Sequence, residues 1–179
     1  MHEDHRSAIE IPQEYVESRW YAACTTPRHE KKVALQMEGS QIQHFLPLYR
    51  SVRRWKDRRK QLDLPLFPGY IFVRFALRDR LQILRLPGVV QLVGFSGKPA
   101  PLPDVEIESL RSGLNGNLRL EPHPYLKLGK KVRVHSGPLA GMEGIMVRRK
   151  EKFRVVLSIH LIKRSVAVEV DESEVEPTR

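Results

Sequence analysis

The chain has 179 residues, 41% of them hydrophobic and 29% charged, which supplies enough apolar side chain for packed cores and excludes wholesale disorder. Thirty-one Lys and Arg against 21 Asp and Glu give a net charge of +10, a surplus that favours a polyanionic partner through counterion release and points to nucleic acid or a nucleic-acid machine. No run approaches the roughly 20 apolar residues of a membrane span, the first residues do not read as a secretory leader, and the single cysteine, Cys24, cannot form an intramolecular disulfide, so the sequence reads as cytoplasmic with no membrane partner.

Residues 1–17 read as a polar tail. Trp20 to Cys24 form a short apolar run with the character of a buried strand, and Cys24 within it is a small buried hydrophobe. A helix is expected next, with Thr26 as its cap, Pro27 at its first position, Val33, Ala34 and Met37 on one face and Gly39 at its end. Phe45 to Tyr49 predicts a second strand, and Pro47 within it argues for a sheet edge. The run RSVRRWKDRRKQ then carries seven basic residues and one acid, and PLFPGYIFVRF alternates large apolar and aromatic residues in strand fashion. Two strands flanking a basic tip make a hairpin. Leu77, Leu81 and Leu84 recur at helical spacing before Pro87-Gly88, Val89 to Val93 reads as another strand, and a helix is expected over 104–112 with Ile107, Leu110 and Leu114 as its stripe and Gly113 just past its end.

Strands interleaved with helices over about 95 residues indicate an α/β unit. Gly, Asn and Pro then cluster without periodicity in GLNGNLRLEPHPY, and residues 115–125 read as a linker. Beyond it, Lys131 to Val134, Ile145 to Arg149, Phe153 to Ile159 and Val166 to Val170 are short β segments rich in Val and Ile, punctuated by Gly137, Gly141 and Gly144. No helical period appears, so residues 126–177 predict a small barrel, and the whole chain is of α+β class.

PLFPGYIFV closely resembles the signature strand of NusG-family N-terminal domains, and VRVHSGPLAGMEGIMV resembles the KOW motif of the same family. LIKRSVAVEV followed by VEP looks like its closing strand, and with WYA near the start these landmarks run in family order over about residues 18–177. The resemblance implies an N-terminal domain, residues 18–114, of antiparallel sheet with flanking helices, joined to an SH3-like KOW barrel. It implies binding to the clamp helices of the RNA polymerase beta-prime subunit, with processivity or antitermination as the outcome and catalysis left to the polymerase. The family's contact patch falls on Phe67, Pro68, Tyr70 and Phe72; alternation also allows Tyr70 and Phe72 simply to face the domain core. Family members place the hairpin near the DNA of the elongation complex, which gives Arg50, Arg53, Arg54, Lys56, Arg58, Arg59 and Lys60 a phosphate-contacting role and Trp55 a stacking one. Leu139 and Ala140 occupy the exposed loop by which relatives dock the ribosomal protein NusE or the termination factor Rho.

Finer details, WKDRRKQLDLPLFPGYIFV and RSVAVEV among them, resemble the specialised paralogues of the UpxY, LoaP and RfaH kind, although the His-Thr-Thr element of RfaH-type members has no counterpart in ALRDRLQILRLPGV. The KOW segment is expected as strands rather than as the helical hairpin that RfaH can form, because Val and Ile lower helix propensity and Gly141 and Gly144 interrupt it. No enzyme signature competes. The seven histidines are scattered without metal-ligand spacing, one cysteine makes no zinc cluster, and no phosphate loop or nucleophile elbow occurs. No metal or cofactor is expected, and the reading is of a monomer. The alternative reading is a ribosomal or RNA-binding KOW protein, against which the N-terminal signature argues.

Overall fold

The computed structural model describes residues 11–54, 59–116, 118–125, 129–149 and 152–178. Within the expected polar tail, Gln13–Val16 form a single helical turn, α1. Period-two alternation in the first strand then decides how the N-terminal half is layered. β1 (Arg19–Thr25) is buried along nearly its whole length, with Trp20, Ala22 and Cys24 on one face and Tyr21 and Ala23 on the other. The chain between β1 and the end of the basic ribbon forms α2 (Glu30–Gly39), β2 (His44–Phe45), β3 (Leu48–Arg54) and β4 (Arg59–Pro65). β1 pairs antiparallel with β5 (Tyr70–Phe75) on one side and, beyond α3 (Arg80–Leu84), with β6 (Val89–Leu92) on the other. β2 completes a four-stranded antiparallel sheet of order β2-β5-β1-β6.

One face of this sheet is closed by α2 and α3, around Tyr21, Ala23, Val33, Met37, Ile71, Val73 and Ile83. The other face carries Trp20, Ala22 and Phe72 and is covered by α4 (Asp104–Asn115), whose Ile107 and Leu110 point into it. Pro47 separates β2, at the sheet edge, from β3, in keeping with the edge expected for a proline-bearing strand. A small hairpin of β7 (Gly94–Phe95) and β8 (Lys98–Pro99) precedes α4.

Local chemistry moves three boundaries. α2 starts at Glu30, not at Pro27, because Thr26 to His29 close a turn (His29 N–H to the Thr26 carbonyl, 3.0 Å) and Arg28 takes a left-handed φ of 65° that no helix admits. α3 turns Ile83 inward and leaves Leu81 and Leu84 exposed, so the leucine spacing does not mark its buried face. α4 continues through Gly113, which lies inside the helix instead of ending it.

The C-terminal half is a six-stranded antiparallel sheet of order β14-β10-β11-β12-β13-β9, formed by β9 (Leu120–His123), β10 (Lys130–Val134), β11 (Glu143–Arg149), β12 (Lys152–Ile159), β13 (Arg164–Val170) and β14 (Val175–Pro177). It wraps around Val132, Val134, Val155, Leu157, Val166 and Val168, all buried, which is the β form expected from its Val-rich strands. The expected linker contains β9, paired with β13 from Leu120↔Val168 to His123↔Ser165. Leu120 joins the core, and Pro122 is tolerated because β9 is an edge strand. Arg154 of β12 reaches Glu169 of the adjacent β13 (3.0 Å) and, beyond it, Glu121 of β9 (3.3 Å).

The two halves are not separate bodies in this conformation. A single apolar cluster runs from Trp20, Phe67, Phe72, Ile107 and Leu110 of the first half into Leu139, Leu157, Ile159, Ile162 and Val166 of the second.

Candidate functional site

The segment Leu66 to Phe72 is held by a device that neither alternation nor motif announces. Gly69 turns the chain with φ 83°, and its N–H donates to Glu30 Oε1 at 2.7 Å, while the Thr25 N–H donates to the Gly69 carbonyl at 2.9 Å. Glu30 is itself 5% exposed, a buried carboxylate at the start of α2 that clamps the Pro68-Gly69 turn. Nothing in the sequence singles out Glu30, because its partner lies 39 residues away. Replacing Glu30 with Ala leaves the half-buried Gly69 N–H without its charged acceptor, and we expect a loss of about 1–3 kcal/mol in urea unfolding. Unchanged stability would mean that the turn holds itself.

This clamp sets the ring geometry. Phe67 meets Phe72 edge-on at 5.6 Å, and Phe72 stacks on Phe45 at 6.3 Å, both within the preferred range for aromatic pairs. Phe67 and Phe72 are both buried, so the core alternative weighed for Tyr70 and Phe72 describes the place of Phe72 here. Tyr70 is half-buried, sits opposite Cys24 in the sheet register and carries the Arg164 guanidinium of the second half 5.7 Å above its ring. Burial pushes the Tyr70 phenol above its ordinary pKa and the Cys24 side chain adds to this, whereas Arg164 works the other way. Beside this group, Arg111 of α4 lies between the rings of Trp20 (4.9 Å) and Phe45 (5.0 Å), a cation–π sandwich that fixes α4 to the sheet.

The basic hairpin is a regular ribbon of β3 and β4, paired from Leu48↔Pro65 to Arg54↔Arg59. Arg53 stands opposite Lys60 and Arg54 opposite Arg59, like-charge pairings that an anion would relieve. Arg59 and Lys60 are exposed, and Arg50 lies 4.0 Å from Asp63 at a loose, solvated pair. Trp55, Lys56 and Arg58 fall outside the described residues, as do the side chains of Arg53 and Arg54. Between the base of the ribbon and the connector lies an open cleft of about 700 Å³, walled by Tyr49, Arg50, Leu114, Arg119 and Glu121 among others.

Leu139 and Ala140 part company. Ala140 is exposed, as expected of the loop, but Leu139 is 1% exposed, because it is seated against Gly113 of α4. The loop has its own internal structure: the Ala140 N–H donates to the Gly137 carbonyl, the Met142 N–H to Leu139 and the Gly141 N–H to Val134. Gly137 (φ 77°) and Gly141 (φ 89°) supply the left-handed backbone that this turn needs. Among the described residues no group of three or more His, Cys, Asp or Glu side chains could hold a metal ion, and no helix is long and apolar enough to cross a membrane.

A protein-family model described as "Transcription termination factor nusG" matches residues 18–111, more than half of the chain. The transcription termination/antitermination protein NusG of Buchnera aphidicola is 29% identical over 174 residues, covering 88% of this chain and 95% of its own. That of Haemophilus influenzae is 29% identical over 177 residues, and that of Escherichia coli K12 is 28% identical over 174, with 93% and 95% of their lengths covered. Among solved structures, "Domain interaction in Thermotoga maritima NusG" has a similar fold, with a TM-score of 0.55, 24% identity and coverage of 91% of this chain and 98% of that one.

Proposed function

Because the chain belongs to the NusG family of transcription termination and antitermination factors, we propose that it binds RNA polymerase through the Phe67, Pro68, Tyr70 and Phe72 segment of its N-terminal domain, at the clamp helices of the beta-prime subunit, and promotes processive or antiterminated elongation in the cytoplasm. The observation that carries this reading is the aromatic group fixed by the Glu30 clamp. Its rings are pre-positioned on a rigid sheet, and its outer boundary is formed by a second domain joined through a short connector. Aromatic side chains so held make good interface anchors, since little conformational entropy remains to be lost on binding.

Tyr70 is the residue on which to test it, because its ring is only half-buried and its loss leaves the core intact. Tyr70→Ala should weaken binding to purified RNA polymerase by about 1–3 kcal/mol, the range for an interface anchor. Wild-type affinity in a folded Tyr70→Ala variant would remove this face from the interface.

The hairpin serves as the nucleic-acid arm in this reading. Replacing Arg53, Arg54, Arg58 and Arg59 with Gln should lower crosslinking to DNA of the elongation complex and flatten its salt dependence, because fewer counterions are released. Crosslinking that keeps its yield and its salt slope would reduce the arm to solvated surface. The Leu139 and Ala140 loop is the candidate contact for NusE or Rho. Genome-wide occupancy separates the general role, at all transcribed genes, from the operon-specific one suggested by the resemblance to specialised paralogues.

A further inference from the structure

We propose that the cleft between the base of the basic ribbon and the connector is a pocket for one unstacked nucleobase, so that the chain prefers a single strand, of DNA or RNA, to a duplex. The proposal rests on the reading of the ribbon as a nucleic-acid arm, and adds to it a base-holding site that charge alone does not supply.

The walls of the cleft divide by chemistry. Tyr49 of β3, Leu114 near the end of α4 and Leu118 of the connector are half-buried, and each packs in part on the apolar cluster while also lining the cleft. A ring and apolar side chains around one cavity suit the flat face of a base, because stacking on an aromatic side chain holds any base by its π-face. Arg50 and Arg119 line the same cleft, with 72% and 76% of their side-chain surface exposed. Neither is tightly engaged: Arg50 lies 4.0 Å from Asp63, and the Glu121 carboxylate that meets Arg119 at 2.9 Å is shared with Arg154. Both guanidinium groups are therefore available to a phosphate. Asp63, also in the lining, can only accept hydrogen bonds when ionised and so suits the N–H groups on a base edge. The volume of about 700 Å³ lies within the range of small-ligand sites and accommodates a single nucleotide.

The ribbon leads into this cleft. Alternation along β4 puts Arg59, Gln61 and Asp63 on one side of the strand, and Arg50 stands opposite Asp63. Arg59 is exposed and lies four residues from Asp63, about 14 Å along the strand. A cationic track a few nucleotides long thus ends at a cavity with apolar walls. A strand whose phosphates follow the track presents a base to the cleft. A base in a duplex must first be unpaired and unstacked to enter, a cost that a single strand does not meet.

Fluorescence anisotropy on the full chain tests this, with a labelled oligothymidylate of about 12 nucleotides and an abasic strand of the same length and charge. The two offer the same phosphates, so the ratio of their affinities isolates the base. Wild type should bind the strand with bases about 5- to 150-fold more tightly, the worth of one base stacked on an aromatic ring. Tyr49→Ala should abolish that preference. Leu118→Asn, which removes an apolar wall outside the sheet, should do the same and stands in if Tyr49→Ala does not fold, as checked by circular dichroism. Gln at Arg53, Arg54, Arg58 and Arg59 should weaken both strands and keep the preference. An oligouridylate series, run in parallel, shows whether DNA or RNA is the better fit, and a base preference on either backbone upholds the pocket. Equal affinity for strands with and without bases in wild type overturns the pocket and leaves the arm standing. A preference that survives in the folded cleft variants also overturns it and puts the base elsewhere on the arm. Failure to bind any strand overturns the pocket and the arm together.

Discussion

A chain carrying Gly116→Cys and Pro138→Cys, with Cys24→Ser to leave no third thiol, should lose RNA polymerase binding when oxidised and regain it on reduction. A Cβ at position 116 falls 3.2 Å from Pro138 Cβ. Disulfides have Cβ separations of about 3.5–4.5 Å, so the bond needs only a shift of a few tenths of an ångström. Once it forms, the two domains can no longer part at this contact. Apparent affinity scales with the fraction of molecules competent to bind, so if polymerase needs the aromatic face uncovered we expect a weakening of at least ~100-fold. Equal affinity of the oxidised and reduced forms, with the crosslink verified by mass spectrometry, would mean that polymerase engages the chain with its domains still docked.

Phe72→Ala should cost about 3–5 kcal/mol of unfolding free energy, the range for emptying a large aromatic site in a core. Phe72 is fully buried, with Phe67 edge-on to it and Phe45 stacked on it. A domain of ordinary stability, about 5–15 kcal/mol, loses a large part of its margin in this way. Urea unfolding checks it, and a midpoint within error of wild type would show that the ring is not core. The magnitude also governs how binding data at this patch are read. Loss of polymerase binding in a Phe72 variant reports on folding as much as on contact, whereas Tyr70, half-exposed, reports on contact.

The secondary structure was legible where a short period repeats. β1, β5 and the Val-rich strands of the second half declared themselves by alternation or apolar run, and the edge position of β2 followed from Pro47. Boundaries set by a single dihedral were not legible: nothing in the residue type of Arg28 reveals that its φ is positive, and that angle moves the start of α2. The candidate site divides in the same way. Phe67, Tyr70 and Phe72 were singled out because a family motif runs through them, and the hairpin because charge accumulates there. Glu30 was missed because its value lies in a hydrogen bond to a backbone 39 residues away. Leu139 was placed on an exposed loop because a lone leucine between glycines reads the same whether its receptor is another protein or its own chain. Gly113 was taken as a helix end for the related reason that glycine at a C-terminus and glycine under a packed side chain look alike in one dimension.

Counting β9 as part of the second domain changes the mechanics of opening. Only residues 116–119 then join the end of α4 to the first strand of the barrel, and four residues reach about 14 Å at full extension. If the barrel leaves the aromatic face, it stays on a leash shorter than its own diameter, at a local concentration of millimolar order, as for other short tethers. Any rival for that face competes with a tethered neighbour.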